Sequence, residues 1–152
     1  MEYQNYLAKV EKHFQKGEYI SIAQLGAKML WQPISSRTRG KLFCFVLNGI
    51  AANGDLVKKL AKYAQSITFY ESNKQNEKID VITLFVYKNL SDRKASFFEK
   101  GIKMGAVNVL PAAFDLEKNE LTVPSKFPLL SSRDFENISA FCKKALTKNT
   151  EE

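Results

Sequence analysis

Asp80-Val-Ile-Thr-Leu-Phe-Val-Tyr87 decides the fold. Only Asp80 and Thr83 break a continuous apolar, largely β-branched and aromatic run. A half-exposed strand would alternate polar with apolar residues, and a surface helix would show a polar face; neither is present. A run of this length fits a strand covered on both faces, so it is expected to be the central strand of a sheet, near residues 80–88.

Working back toward the N-terminus, Asn53-Gly-Asp55 supplies a turn and an N-cap. Leu56, Leu60, Tyr63, Ile67 and Tyr70 then recur at helical spacing, which predicts a long helix over 55–77. Its tail, Ser66-Ile-Thr-Phe-Tyr70, is β-prone, so a short strand competes there. Between Tyr19 and Asn48 the spacing is ambiguous. Ile22, Gly26, Met29 and Leu30 would make a helical stripe, whereas Ala27, Met29 and Trp31 would share one side of a strand. Pro33, the polar segment Ser35 to Gly40 and the apolar run Leu42 to Leu47 favour a meander of two or three strands. Tyr3, Tyr6, Leu7, Val10 and Phe14 predict an N-terminal helix over residues 3–16, stopped by Gly17.

Toward the C-terminus, Ser91-Asp92 is expected to cap a third helix carrying Ala95, Phe98 and Ile102, weakened or ended by Gly101 and Gly105. Val107 to Leu110 reads as a return strand. Asp115 to Leu121 reads as a polar turn joining two edge strands, and Pro124 and Pro128 close the sheet region. Ser132 is placed to cap a last helix, 132–147, with Asp134 and Glu136 in its first turn and Phe135, Ile138, Cys142 and Leu146 on its core face. The expectation is one α+β domain over residues 1–147, a small mixed sheet with helices at both ends, and a frayed tail at 148–152.

A chain of 152 residues hides roughly 70% of the surface its unfolded form exposes, enough for a core without disulfide or metal staples. Cys44 lies in an apolar run and Cys142 on an apolar helix face, which predicts two reduced core thiols. The N-terminus has neither a basic region nor an apolar stretch of signal-peptide length, so a cytoplasmic setting is expected. With 23 Lys+Arg against 16 Asp+Glu, the net charge of +7 suits nucleic acid, an anionic membrane surface or an acidic partner. Dispersed lysines are more simply explained by solubility.

The catalytic motifs fail one by one. Gly49-Ile-Ala-Ala-Asn-Gly54 has phosphate-loop spacing, but Asp55-Leu56 stand where Lys and Ser/Thr should hold phosphate and magnesium. A dinucleotide site would need a close Gly-x-Gly in the same turn, and there is none. His13 is the sole histidine and belongs on the polar side of the first helix; no Cys or His pair has zinc spacing. A serine nucleophile would lack both its elbow and its base. No enzyme, metal or cofactor is expected. For contact with phosphates, the basic turn Arg37, Arg39 and Lys41 and the helix face Lys58, Lys59 and Lys62 are the candidates.

The order helix, strands, long helix, strand, helix distantly resembles the core of restriction-type nucleases. That family's metal site uses one strand acid and an Asp/Glu-x-Lys on the next strand. Asp80 could be the first acid, but Val86 stands where the second should precede Lys88, and Asp92-Arg-Lys94 falls at a helix start. Magnesium would have too few oxygen ligands, so an inactive scaffold is the most this resemblance implies.

A second resemblance starts at Leu56 and covers about two thirds of the chain. The charged helix Leu56-Val-Lys-Lys-Leu-Ala-Lys-Tyr63, the strand Val81 to Tyr87, Lys100-Gly101, Val107-Asn-Val-Leu-Pro111, Pro124-Ser-Lys-Phe-Pro128 and Phe135 to Phe141 carry it. Together they resemble the cytosolic segment preceding the membrane helices of rhomboid-type intramembrane serine proteases of Gram-positive bacteria. The resemblance implies a non-catalytic regulatory or substrate-recruiting domain at the inner face of the plasma membrane. It would bind a protein partner or the adjoining membrane domain, or sense a cytoplasmic signal. The family's catalytic Gly-x-Ser and membrane histidine have no counterpart here. Lys143, Lys144 and Lys148 would suit the positive flank of a membrane span, and equally a solvated helix end. The alternative expectation is a free-standing basic protein that binds nucleic acid on the inactive nuclease-like scaffold.

Overall fold

The computed structural model describes residues 1–33, 40–72, 78–90 and 96–147, with the side chains of 69–72 left aside. Its elements are α1 (Tyr3–Glu11), β1 (Lys16–Ile22), β2 (Leu25–Pro33), β3 (Gly40–Asn48), α2 (Gly54–Ser72), β4 (Lys78–Tyr87), β5 (Ile102–Met104), β6 (Val107–Asp115), β7 (Glu120–Thr122) and α3 (Ser132–Ala145). The described strands form one mixed sheet in the order β1-β2-β3-β4-β6-β5, with β7 also on β6. β1, β2 and β3 make an antiparallel meander, and β3, β4 and β6 run parallel. The fold is mixed α+β, with helices at both ends of the chain and a central sheet.

Two-sided burial explains this arrangement. Alternate residues of the parallel trio feed two cores, one on each face. Cys44, Val46, Ile82, Leu84, Val86, Leu110, Ala112 and Phe114 meet α1 and α3. Phe43, Phe45, Leu47, Val81, Phe85, Val109 and Ala113 meet α2 and Phe98. Tyr6 fastens the first layer: its ring stacks on Phe114 at 3.9 Å, and its hydroxyl donates to the Leu146 carbonyl at 2.7 Å. On the other face Asn53 caps α2, its Oδ1 accepting from the Leu56 amide at 2.8 Å.

The expected central strand is β4, and the meander has three strands. α2 passes through Ser66–Tyr70 as helix, so the competing strand does not form; residues 73–77 of the expected helix lie outside the described residues. Several boundaries are corrected. α1 ends at Glu11, and Gly17 is no helix stop but a residue of β1. A Cβ there would lie 2.6 Å from Leu30 Cδ2, so the glycine leaves room for the Leu30 side chain. His13 accordingly follows the helix. The start of the expected third helix, 91–95, is outside the described residues; 96–98 form a single 3-10 turn, and Ile102 belongs to strand β5. Gly105, at φ +63°, turns the β5–β6 hairpin and ends no helix. β6 extends to Asp115 and is an interior strand, not an edge, since β4 flanks one side and β5 and β7 the other. Pro111 fits there because residues 110–112 pair only with β4, between the ends of β5 and β7. α3 stops at Ala145, short of 147, and its N-cap is Ser131, which makes no side-chain capping bond; Ser132 is already helical. The 148–152 tail lies outside the described residues.

Two changes test this packing by chemical denaturation. Thr83 on β4 is fully buried with its hydroxyl unpartnered among the described residues, so Thr83→Val is expected to raise stability by about 1 kcal/mol. At Gly101 a Cβ would meet the Phe135 ring at 2.7 Å, so Gly101→Ala is expected to cost about 1–3 kcal/mol.

Candidate functional site

Asp80 enters the α1/α3 face near the start of β4, between the apolar Ile79 and Val81. Register sets it beside Leu42 on β3 and Asn108 on β6. The Asn108 amide Nδ2 donates to Asp80 Oδ1 at 3.0 Å and, at 3.4 Å, to Asp134 Oδ2 in the first turn of α3. Lys103 of β5 donates to Asn108 Oδ1 at 3.2 Å, and Lys78 pairs with Asp134 Oδ1 at 2.6 Å. Two carboxylates, one amide and two ammonium groups thus neutralise one another across β4, β5, β6 and α3. Burial pushes the Asp80 carboxyl up to about 6, against the opposing pull of Asn108 and Lys78; Asp134 adds to the rise.

The opposite ends of β4 and β6 hold a second carboxylate with a different task. Asp115 accepts the Leu90 amide at 3.0 Å and the Glu117 and Lys118 amides at 2.9 Å. These bonds overcome its desolvation and hold its carboxyl below the usual range. It pins the turn into β7, which Asn119 enters with a φ of +56°. Tyr87 accepts the Ala52 amide at 3.1 Å, tying the α2 entry to β4.

The basic candidates divide. Lys58 and Lys62 project from α2 over a cavity of about 290 Å³, whose other lining residues are Ala61, Gln65, Met104, Gly105 and Val107. Lys59 pairs with Asp55 at 3.3 Å, one helical turn back. Lys41 sits at the start of β3, outside that lining, and Arg37 and Arg39 lie outside the described residues. Lys58 and Lys62 of the helix face are therefore brought to a cavity, and Lys41 is not among its described lining residues. Asn108, Lys78, Lys103 and Asp134 were not singled out from the sequence as site residues; Asp134 was read only as a first-turn acid of the last helix. Their signal was a polar residue near the start of each of two apolar strands, Asp80 and Asn108.

Cys44 and Cys142 are free and wholly buried. Burial raises both thiol pKa values, so neither offers a thiolate. Among the described residues, no three His, Cys, Asp or Glu side chains converge as metal ligands, and no helix is long and apolar enough to cross a membrane. No family model, no curated protein and no solved structure matches the chain.

Asp80 has a measurable pH signature. Its folded value of about 6 lies above the ordinary 3.8, so between those values the folded state keeps a proton that the unfolded chain releases. Stability should fall as pH rises through that window and then level off, whereas the depressed Asp115 acts oppositely, its contribution being lost as pH drops toward and below about 4. Urea unfolding between about pH 4 and 7 should show the falling slope in the wild type and a flattened one in Asp80→Asn, with the variant more stable at pH 7 by on the order of 1–2 kcal/mol.

Proposed function

We propose that this domain is a non-catalytic regulatory or substrate-recruiting module of a rhomboid-like membrane protease, working at the cytoplasmic face. Its partner is an acidic, amphipathic segment of protein that binds at Lys58 and Lys62. The observation that carries this reading is the cavity beneath those lysines, which has an apolar floor of Ala61, Met104 and Val107 and a cationic rim. Such a surface suits apolar anchors flanked by carboxylates. The self-neutralised Asp80 cluster supports a structural role for the buried polar groups, since its carboxylates already face Asn108, Lys78 and Lys103.

The strand order supports a second reading. An antiparallel β1-β2-β3 meander followed by an α2 crossover into parallel β4 suits the inactive nuclease-like scaffold, which would hold nucleic acid on the same lysines. In that scaffold Asp80 would be the residual strand acid. Leu42 and Asn108 are its neighbours on the flanking strands, so no strand carboxylate accompanies it.

Photocrosslinking in cells separates the two. A benzophenone amino acid replacing Gln65, inside the cavity lining, is expected to give adducts with acidic protein segments, and Lys58→Glu/Lys62→Glu in the same chain should abolish them. Nuclease-sensitive adducts in their place would overturn the first reading in favour of the second.

A further inference from the structure

Leu129 and Leu130 are exposed to 92% and 96%, although they are consecutive, apolar and held in an ordered 3-10 turn, Leu129–Ser131. Scattered single apolar residues are ordinary on a surface; a projecting pair is not. The turn is fixed at both sides. Before it, Phe127 stacks on Phe135 at 5.6 Å, and the segment bonds to the β5 approach through Gly101 N to Lys126 O at 2.9 Å. After it, α3 is held to the sheet through Asp134 and Lys78.

The surroundings are basic on balance. Lys100 and Lys126 are bridge partners on adjacent parallel segments, both exposed, and neither has an ion-pair partner among the described residues. Like charges placed side by side across a bridge repel, and an anion between them would relieve that cost. Arg133 is exposed four residues after Leu129. Of the carboxylates beside these groups in sequence, Asp134 is taken by Lys78, while Glu99 and Glu136 are exposed, so the three basic side chains outnumber the two exposed acids by one.

We propose that this corner docks on an anionic lipid bilayer, with Leu129 and Leu130 inserted among the acyl chains and Lys100, Lys126 and Arg133 at the headgroup phosphates. Apolar groups below and anions at the rim describe a bilayer surface. The feature is a convex tip two residues wide, and it needs no complementary pocket. It offers a few hundred Å² at most, against the roughly 800 Å² per partner that a stable second copy would need. The inference deepens the membrane-face reading and rests on it, but it concerns residues away from the α2 cavity.

The test is co-sedimentation of the purified chain with vesicles of phosphatidylcholine alone or with roughly one-third phosphatidylglycerol. Binding to the anionic vesicles only, weakening with salt, is expected. Leu129→Ser/Leu130→Ser should reduce it about tenfold or more, and Lys100→Glu/Lys126→Glu should reduce it at least as much. Lys58→Glu/Lys62→Glu should leave it intact. All the substituted side chains are exposed, so unchanged circular dichroism is expected throughout. Equal binding to neutral vesicles, no binding, full binding by the leucine variant, or loss on changing only Lys58 and Lys62 would each overturn the proposal. So would a leucine variant whose main effect is to dissociate a dimer of the wild type. Failure here with intact acidic crosslinks at Gln65 would remove the lipid contact and leave the proposed recruiting role standing.

Discussion

β4 is buried on both faces, and the rest of the molecule is arranged to keep it so. A strand in that position cannot leave its ladder groups to water, so β3 and β6 must flank it, and a parallel β3–β4 pair requires a crossover long enough to return the chain. α2 is that crossover, and it covers one face by the same course that closes the connection. The other face is covered from the two ends of the chain, α1 and α3, clasped by the Tyr6 hydroxyl on the Leu146 carbonyl. Closing this layer therefore brings together residues 140 positions apart.

One polar intrusion into the buried strand has consequences well beyond it. Asp80 needs a partner at its own level in the sheet, and register supplies Asn108, whose amide reaches on to Asp134. The beginning of α3 is thereby drawn to the strand ends, with Lys78 completing the attachment. With the buried Phe135, the interior cluster fixes the start of the following helix, and the projecting Leu129–Leu130 turn is held between that point and the Gly101 to Lys126 bond. The same cluster carries an electrostatic cost, visible in the raised Asp80 carboxyl, which the protein offsets with two lysines.

The legible parts of the fold were those written in composition over a continuous stretch. Double-sided burial makes Asp80 to Tyr87 apolar but for Asp80 and Thr83, and the 3.6-residue repeat after Asn53 survives into α2. What each glycine does in the sheet was not legible. Gly17 looks like a helix stop until Leu30 is known to lie across from it, and Gly105 looks like a helix end until Ile102–Met104 pairs with β6. Lys58 and Lys62 could be named from the helix repeat because side chains four apart share a face. Asp80 could be named only as a solitary acid, since Asn108, Lys103 and Asp134 join it through strand order and register, which no local spacing encodes. The exposure of Leu129 and Leu130 was not legible either, since nothing in the local sequence separates a projecting apolar pair from a buried one.

Among the described residues, the basic groups at the cavity and at the Leu129–Leu130 turn lie on opposite sides of the sheet, and that bears on what the domain can grip. β5 alternates at the dividing edge, with Lys103 reaching Asn108 on the α3 side and Met104 forming part of the cavity floor on the α2 side. Lys58 and Lys62 belong to the α2 layer, while Arg133 stands on α3. A polyanion read along its backbone needs a continuous basic track on one surface. Charges parted by a β-sheet instead favour two smaller contacts of different chemistry, one over an apolar cavity and one around a projecting apolar tip. The proposed membrane-face recruiting module would use both: one surface to hold the domain at the lipid and another, on the other side of the sheet, to present a protein segment.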